Sequence, residues 1–142
     1  MKKFTILLLV GLIFCNYCFS QTGNITIETN NIVINGGIVY IGIFSNAESF
    51  RKEEPEFLFE LEAANTTIFQ ELLLPNGEYV ITAIQDANNN KKLDFGLFGI
   101  PRELVGISNF NGRGFPSRNF ERQKILVDKT MKRIIINLYS FY

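Results

Sequence analysis

Ile38-Val39-Tyr40-Ile41-Gly42-Ile43-Phe44 is the stretch that most narrows what this chain can fold into. Its residues are almost all apolar, β-branched or aromatic, with none of the polar alternation of a half-solvated strand. Such a run reads as a central strand covered on both faces. Gly42 interrupts it, and a glycine inside a strand marks a close backbone approach or a bulge. Other short segments of the same character surround it. Asn24–Thr29 alternates polar and apolar residues. Phe57–Glu62 sets Phe57, Phe59 and Leu61 on one face against Glu60 and Glu62 on the other. Thr66–Leu72 runs to the turn Leu74-Pro75-Asn76-Gly77, whose Asn-Gly pair favours positive φ, and Gly77–Ile84 follows it. Lys124–Val127 and Arg133–Leu138 close the series around Asp128-Lys129-Thr130.

Helical signals are confined to Ser45–Phe50, where Ser45 caps and Glu48 completes a capping box. The reading is therefore all-β: a single-domain antiparallel β-sandwich of about seven strands, immunoglobulin-like in build, with one long packed loop. Phe57, Phe59, Ile81, Ile125 and Ile136 are expected inside it. The long loop covers residues 86–118, which show no periodic segment. Phe95, Leu97, Phe98, Ile100 and their neighbours make it too apolar for a solvated tail.

The first 20 residues carry a different signal. Met1-Lys2-Lys3 and the apolar run Phe4–Phe14 are a cationic start and a hydrophobic region too short for a membrane span, which needs roughly 20 apolar residues. Cys18-Phe19-Ser20 offers small residues for cleavage before Gln21. Neither Cys15 nor Cys18 follows a small residue, as a lipidated cysteine requires. Residues 1–20 thus read as a signal peptide and 21–142 as the sandwich domain, periplasmic or extracellular after cleavage.

Of the 142 residues only two are cysteine, and both lie in that leader; histidine and tryptophan are absent altogether. The remainder has no thiol for a disulfide or a thiolate metal site. Removing Lys2 and Lys3 from 14 basic residues leaves 12 against 14 acidic ones. A net charge near −2 gives no footprint for nucleic acid and no polybasic membrane patch. Without histidine there is no Ser-His-Asp or Cys-His pair.

One stretch carries coordination chemistry. After the strand ending at Ile84, oxygen-bearing side chains recur at Asp86, Asn88 and Asn90, then Asp94. This fits the first positions of a calcium loop, with the Lys92 carbonyl at position 7 and Asp94 at position 9. Position 12 is Leu97, so Glu103 is the nearest carboxylate able to replace the missing bidentate acid. Calcium is the cofactor this pattern suits, and Asp86, Asn88, Asn90, Lys92, Asp94 and Glu103 are its candidate ligands. The competing reading is a turn in which Asp and Asn side chains bond backbone amides two residues on. Phe95, Phe98, Phe110 and Phe115 either line a ligand groove or lid the end of the sandwich. Glu53, Glu54, Glu56, Glu60 and Glu62 read as a solvated face.

Four segments, Leu74–Tyr79, Asp86–Asp94, Gly99–Glu103 and Gly106–Asn109, occur in order at close spacing. Together they resemble the secreted bacterial family designated domain of unknown function 2141. The resemblance implies a transthyretin-like or carboxypeptidase-regulatory-like β-sandwich and assigns no activity. This chain departs from the family pattern at Gln85, where histidine is usual, and at Lys91, where glycine is usual.

Two functions fit these residues. The first is an exported non-catalytic module that binds calcium in loop 86–94 and a protein or glycan of the cell envelope, with no nucleic acid and no membrane span. The alternative is a metal-dependent enzyme using carboxylates of the 86–103 loop. N-terminal sequencing of the exported protein should begin at Gln21; a product retaining Cys15 or Cys18 would overturn the leader reading.

Overall fold

The computed structural model describes residues 22–141, so the leader lies outside the described residues. Two sheets face each other. In the first, β1 (Thr22–Asn30) lies between β4 (Thr67–Pro75), antiparallel, and β8 (Arg133–Asn137), parallel. The second runs β3 (Phe57–Glu62), β2 (Ile38–Phe44), β5 (Gly77–Asp86), β6 (Leu104–Ile107), all antiparallel. A short β7 (Ile125–Val127) pairs with the first residues of β5. The all-β sandwich is as the sequence predicts, with eight described strands rather than about seven. The additional one is β6, whose four residues are too few to show a period.

The core lies between the sheets. Ile25 and Ile27 of β1, Val39, Ile41 and Ile43 of β2, Ile81 and Ala83 of β5, and Ile134 and Ile136 of β8 form one buried cluster. Burying such side chains stabilises the fold by about 1.5–3 kcal/mol each, which substitutes for cross-links. Ile81 and Ile136 are fully buried as expected. Phe57, Phe59 and Ile125 are only half-buried against the cluster, because β3 is an edge strand and β7 is three residues long.

The outer face of the larger sheet is also apolar, in rows fixed by the register. Phe44 stands opposite Val80. Leu58, Gly42, Thr82 and Ile107 form the next row, and Glu60, Tyr40, Ile84 and Val105 the third. Two short helices cover only the first row and part of the second. Phe50 of α1 (Ala47–Lys52) packs edge-on to Phe44 at 5.3 Å and to Phe120 of α2 (Phe120–Gln123) at 6.4 Å. Asn46, not Ser45, caps α1: its Oδ1 accepts the Glu48 and Ser49 N–H groups at 3.1 and 2.9 Å. Glu48 is then too close to the cap to close a capping box.

The Asn76-Gly77 pair does not adopt positive φ. The reason is topological: Pro75 ends in one sheet and Gly77 begins in the other, so the pair carries the chain across the sandwich instead of folding a hairpin. Gly37 has the stricter demand. At φ +88° its missing Cβ would sit 1.9 Å from the Asp86 carbonyl oxygen, so the backbone entering β2 presses directly on the end of β5.

Gly37→Ala should therefore destabilise by more than the about 1–3 kcal/mol of a left-handed conformation alone. Gly114, at φ +69° with nothing near its missing Cβ, supplies the comparison. Equal losses for Gly37→Ala and Gly114→Ala in denaturant melts would show that the contact with Asp86 carries no weight.

Candidate functional site

At the end of β5 the Asp86 carboxylate is almost fully buried and faces back into its own loop. Its Oδ1 accepts the Asn90 N–H at 3.2 Å and its Oδ2 the Lys91 N–H at 2.7 Å. Asn88 Oδ1 accepts the Asn90 N–H as well, at 3.0 Å, and Asn90 Oδ1 accepts the Lys92 N–H at 2.8 Å. Both carboxamide NH2 groups then donate to Asp94 Oδ2, Asn88 at 2.7 Å and Asn90 at 2.9 Å. Asn89 and Lys91 take left-handed φ of 58° and 62° to make these bends. Lys91 thus adopts a conformation that glycine takes without a Cβ penalty.

From Asp94 the chain runs out and back as a narrow finger. The Arg102 N–H donates to the Asp94 carbonyl at 2.9 Å, the Gly96 N–H to the Ile100 carbonyl at 2.7 Å, and Phe95 bridges Pro101. Its tip is not packed: Leu97 is 81% and Phe98 96% exposed. The loop is therefore ordered by backbone hydrogen bonds more than by the apolar packing its composition predicts.

Glu103 sits at the base of the finger, buried, with Oε2 accepting the Asp94 N–H at 3.2 Å. Its Oε1 is buried without a hydrogen-bond partner among the described residues, while the carboxyl lies within hydrogen-bonding reach of Asp86. Burial pushes the Glu103 carboxyl above its ordinary range; the Asp94 N–H opposes this, and the charges of Asp86 and Asp94 add to it.

The candidate ligands are gathered in one loop, but they do not point at one centre. A calcium shell needs six to eight oxygens at about 2.3–2.6 Å. Here the Asn88 and Asn90 oxygens are turned to backbone amides and their nitrogens to Asp94. Lys92 is exposed and reaches the turn through its N–H. Among the described residues no three His, Cys, Asp or Glu side chains could hold a metal ion together. This arrangement does not fit a calcium shell as it stands; both carboxamides would have to turn over and release two amide bonds.

What the turn does position is a wall. It folds residues 91–101 over the uncovered rows of the larger sheet, where Lys91 Nζ reaches Glu60 Oε2 at 3.6 Å. Between this wall and α1 lies a groove of about 870 Å3. Its floor is Tyr40, Gly42, Thr82, Ile84 and Val105; Leu93 and Phe95 line one side, and Phe50, Leu58 and Phe115 the rest. Of the aromatics singled out from sequence, Phe95 and Phe115 line the groove. Phe98 is exposed, and Phe110 packs on Tyr139 at 5.4 Å. Gly42, expected at a bulge or a close backbone approach, lies instead in an unbroken register on this floor. Its missing Cβ would meet Thr82 Oγ1 at 3.1 Å and the Phe44 ring at 3.3 Å, so side chains rather than backbone close on it. Gln85 is buried instead on the inner side, where Nε2 donates to the Val33 and Gly36 carbonyls at 2.7 and 2.9 Å and Oε1 accepts the Val33 N–H at 2.9 Å. Those bonds fix the loop that delivers Gly37.

The raised pKa of Glu103 has a definite sign. Stability from a carboxyl whose folded pKa is raised is fully present below its unfolded value of about 4.3 and is lost as pH rises through the folded one. Glu103→Gln keeps the acceptor for the Asp94 N–H and carries no charge. It should melt higher than the wild type at pH 7.5, with the gap closing towards pH 4. A gap independent of pH would place the cost elsewhere.

No curated protein and no solved structure matches the chain. A family model does, over residues 27–135, described as an uncharacterized protein conserved in bacteria. That span runs from β1 to β8 and includes the Asp86 turn, the finger and the groove floor. The chain therefore belongs to the bacterial family DUF2141.

Proposed function

We propose that this protein is an exported, non-catalytic binding module that holds an apolar ligand in the groove over its larger sheet. The observation that carries the reading is the groove itself. The sheet face beneath it is apolar, is left half-covered by α1 and α2, and is walled by a loop that the Asp86 turn holds in place. Its size lies within the about 300–1,000 Å3 of small-molecule sites. An apolar floor favours an apolar ligand over a glycan, which needs a row of free hydrogen-bonding groups. Asp86, Asp94 and Glu103, the carboxylates of the 86–103 loop, are engaged in holding the turn and the base of the finger. Export rests on the leader.

Calcium binding is a second reading, favoured by one observation: the buried, unpartnered Glu103 Oε1 beside Asp86. An ion binding only the folded state would raise the melting temperature in millimolar calcium. Glu103→Gln would remove that rise.

Titration with the neutral dye Nile red tests the groove. It should bind with one-to-one stoichiometry and lose its fluorescence gain in Gly42→Val. That substitution suits a strand but presses on Thr82 Oγ1 and the Phe44 ring, so a thermal melt run beside the titration establishes that the variant is folded. Dye binding of unchanged strength in a folded Gly42→Val would remove the groove as the site.

A further inference from the structure

Resting on that reading, we infer that the ligand is an elongated amphipath: a hydrocarbon chain ending in a carboxylate. The charges lining the groove are not balanced. Glu53 is paired with Arg118, and Glu60 with Lys91 at 3.6 Å. Asp86, the third acid of the lining, accepts two backbone N–H groups and lies near Glu103. Arg51 of α1 and Lys92 of the opposite wall also line the groove, and neither has a carboxylate within ion-pair distance among the described residues. A ligand carrying one negative charge meets a cation on either wall, whereas a cationic ligand meets none of the acids free.

The floor sets the rest of the molecule. The third row, beside the open part of the second, crosses four strands, β3, β2, β5 and β6. At about 4.8 Å between neighbouring strands, that is a track of about 14 Å, with Gly42 beside its middle. Leu58, Ile84 and Val105 present aliphatic surface along it, with Tyr40 and Thr82 supplying two hydroxyls. An unbranched chain follows such a track. A compact polar molecule leaves Leu58 and Phe95 in water, where they stand 55% and 50% exposed.

Calorimetric titration of the full folded domain with decanoate, dodecanoate and dodecanol, each below its micelle concentration, tests the class. Affinity should rise about fourfold per methylene, hence about fifteenfold from decanoate to dodecanoate. Dodecanol should bind at least about tenfold more weakly than dodecanoate, the loss of a charge-assisted hydrogen bond. The double variant Arg51→Gln/Lys92→Gln should bring dodecanoate down to the level of dodecanol, and the exposed positions make loss of folding an unneeded explanation. Gly42→Val should abolish binding of both amphipaths. If dodecanol binds as tightly as dodecanoate and both are lost in Gly42→Val, the carboxylate class is overturned while the groove stands. If neither amphipath binds but Nile red still does, the chain-and-carboxylate inference is overturned without the groove. If Nile red fails as well, both readings fall together.

Discussion

The Asp86 carboxylate, turned inward at the end of β5, is the constraint on which the functional half of the structure depends. Two backbone N–H groups of Asn90 and Lys91 converge on its two oxygens. Hydrogen bonds to a charged acceptor are worth about 1.5–3 kcal/mol each, against about 0.5–1.5 for a neutral pair. They offset the cost of placing Asn89 and Lys91 in the left-handed region. A chain leaving a central strand would ordinarily continue past the sheet edge. This one reverses within five residues and lays its next ten over the outer face, and so makes a wall where the sheet would otherwise be bare.

The turn is itself braced from the inner side. Gln85 and Asp86 are adjacent on β5 and point to opposite faces, as strand geometry requires. Gln85 binds the 33–36 loop through three hydrogen bonds, and that loop delivers Gly37 against the Asp86 carbonyl. A neutral histidine at 85 would offer one donor and one acceptor; the carboxamide offers two donors and an acceptor. Glutamine here is a structural solution, and the inward side of the strand locks the position from which the outward side works.

Much of the sandwich was legible because its strands alternate. Ile25 and Ile27, Ile81 and Ala83, and Ile134 and Ile136 repeat every second residue, and each pair lies in the core. β6 was not legible, since Leu104–Ile107 is short and its outer residues line an apolar groove, which removes the polar half of the pattern. The parallel pairing of β1 with β8 joins segments about a hundred residues apart, and no local signal encodes it. At the site, the two-residue spacing of Asp86, Asn88 and Asn90 is compatible with ion coordination and with a ladder of Asx turns. Both use the same oxygens, and the choice lies in whether those oxygens face a common centre or successive amides. That is a matter of side-chain direction, which spacing does not carry. Gly42 was legible as unusual, but only the register, which sets it between Leu58 and Thr82, shows that it lies on the outer face and not at a bulge.

The same register explains why an apolar outer face has persisted in a small sandwich. Antiparallel sheets commonly leave one face to solvent and alternate accordingly; β2 does not, because Tyr40, Gly42 and Phe44 occupy the positions where polar residues belong. If stability alone had set this face, α1 and α2 would cover all of it, as they cover Phe44 and Val80. They stop partway across the second row. The finger stands over the gap without filling it, with Phe95 half-exposed on its inner limb and Leu97 and Phe98 in water at its tip. Ordering the finger by backbone bonds leaves these side chains unburied. A wall fixed in this way keeps its shape without a ligand, so a ligand entering the groove need not supply the ordering free energy of its own site. The unpacked apolar surface is then the cost of a preformed cleft, and the polar turn at Asp86 is the device that makes such a cleft stable in a chain with no disulfide to hold it.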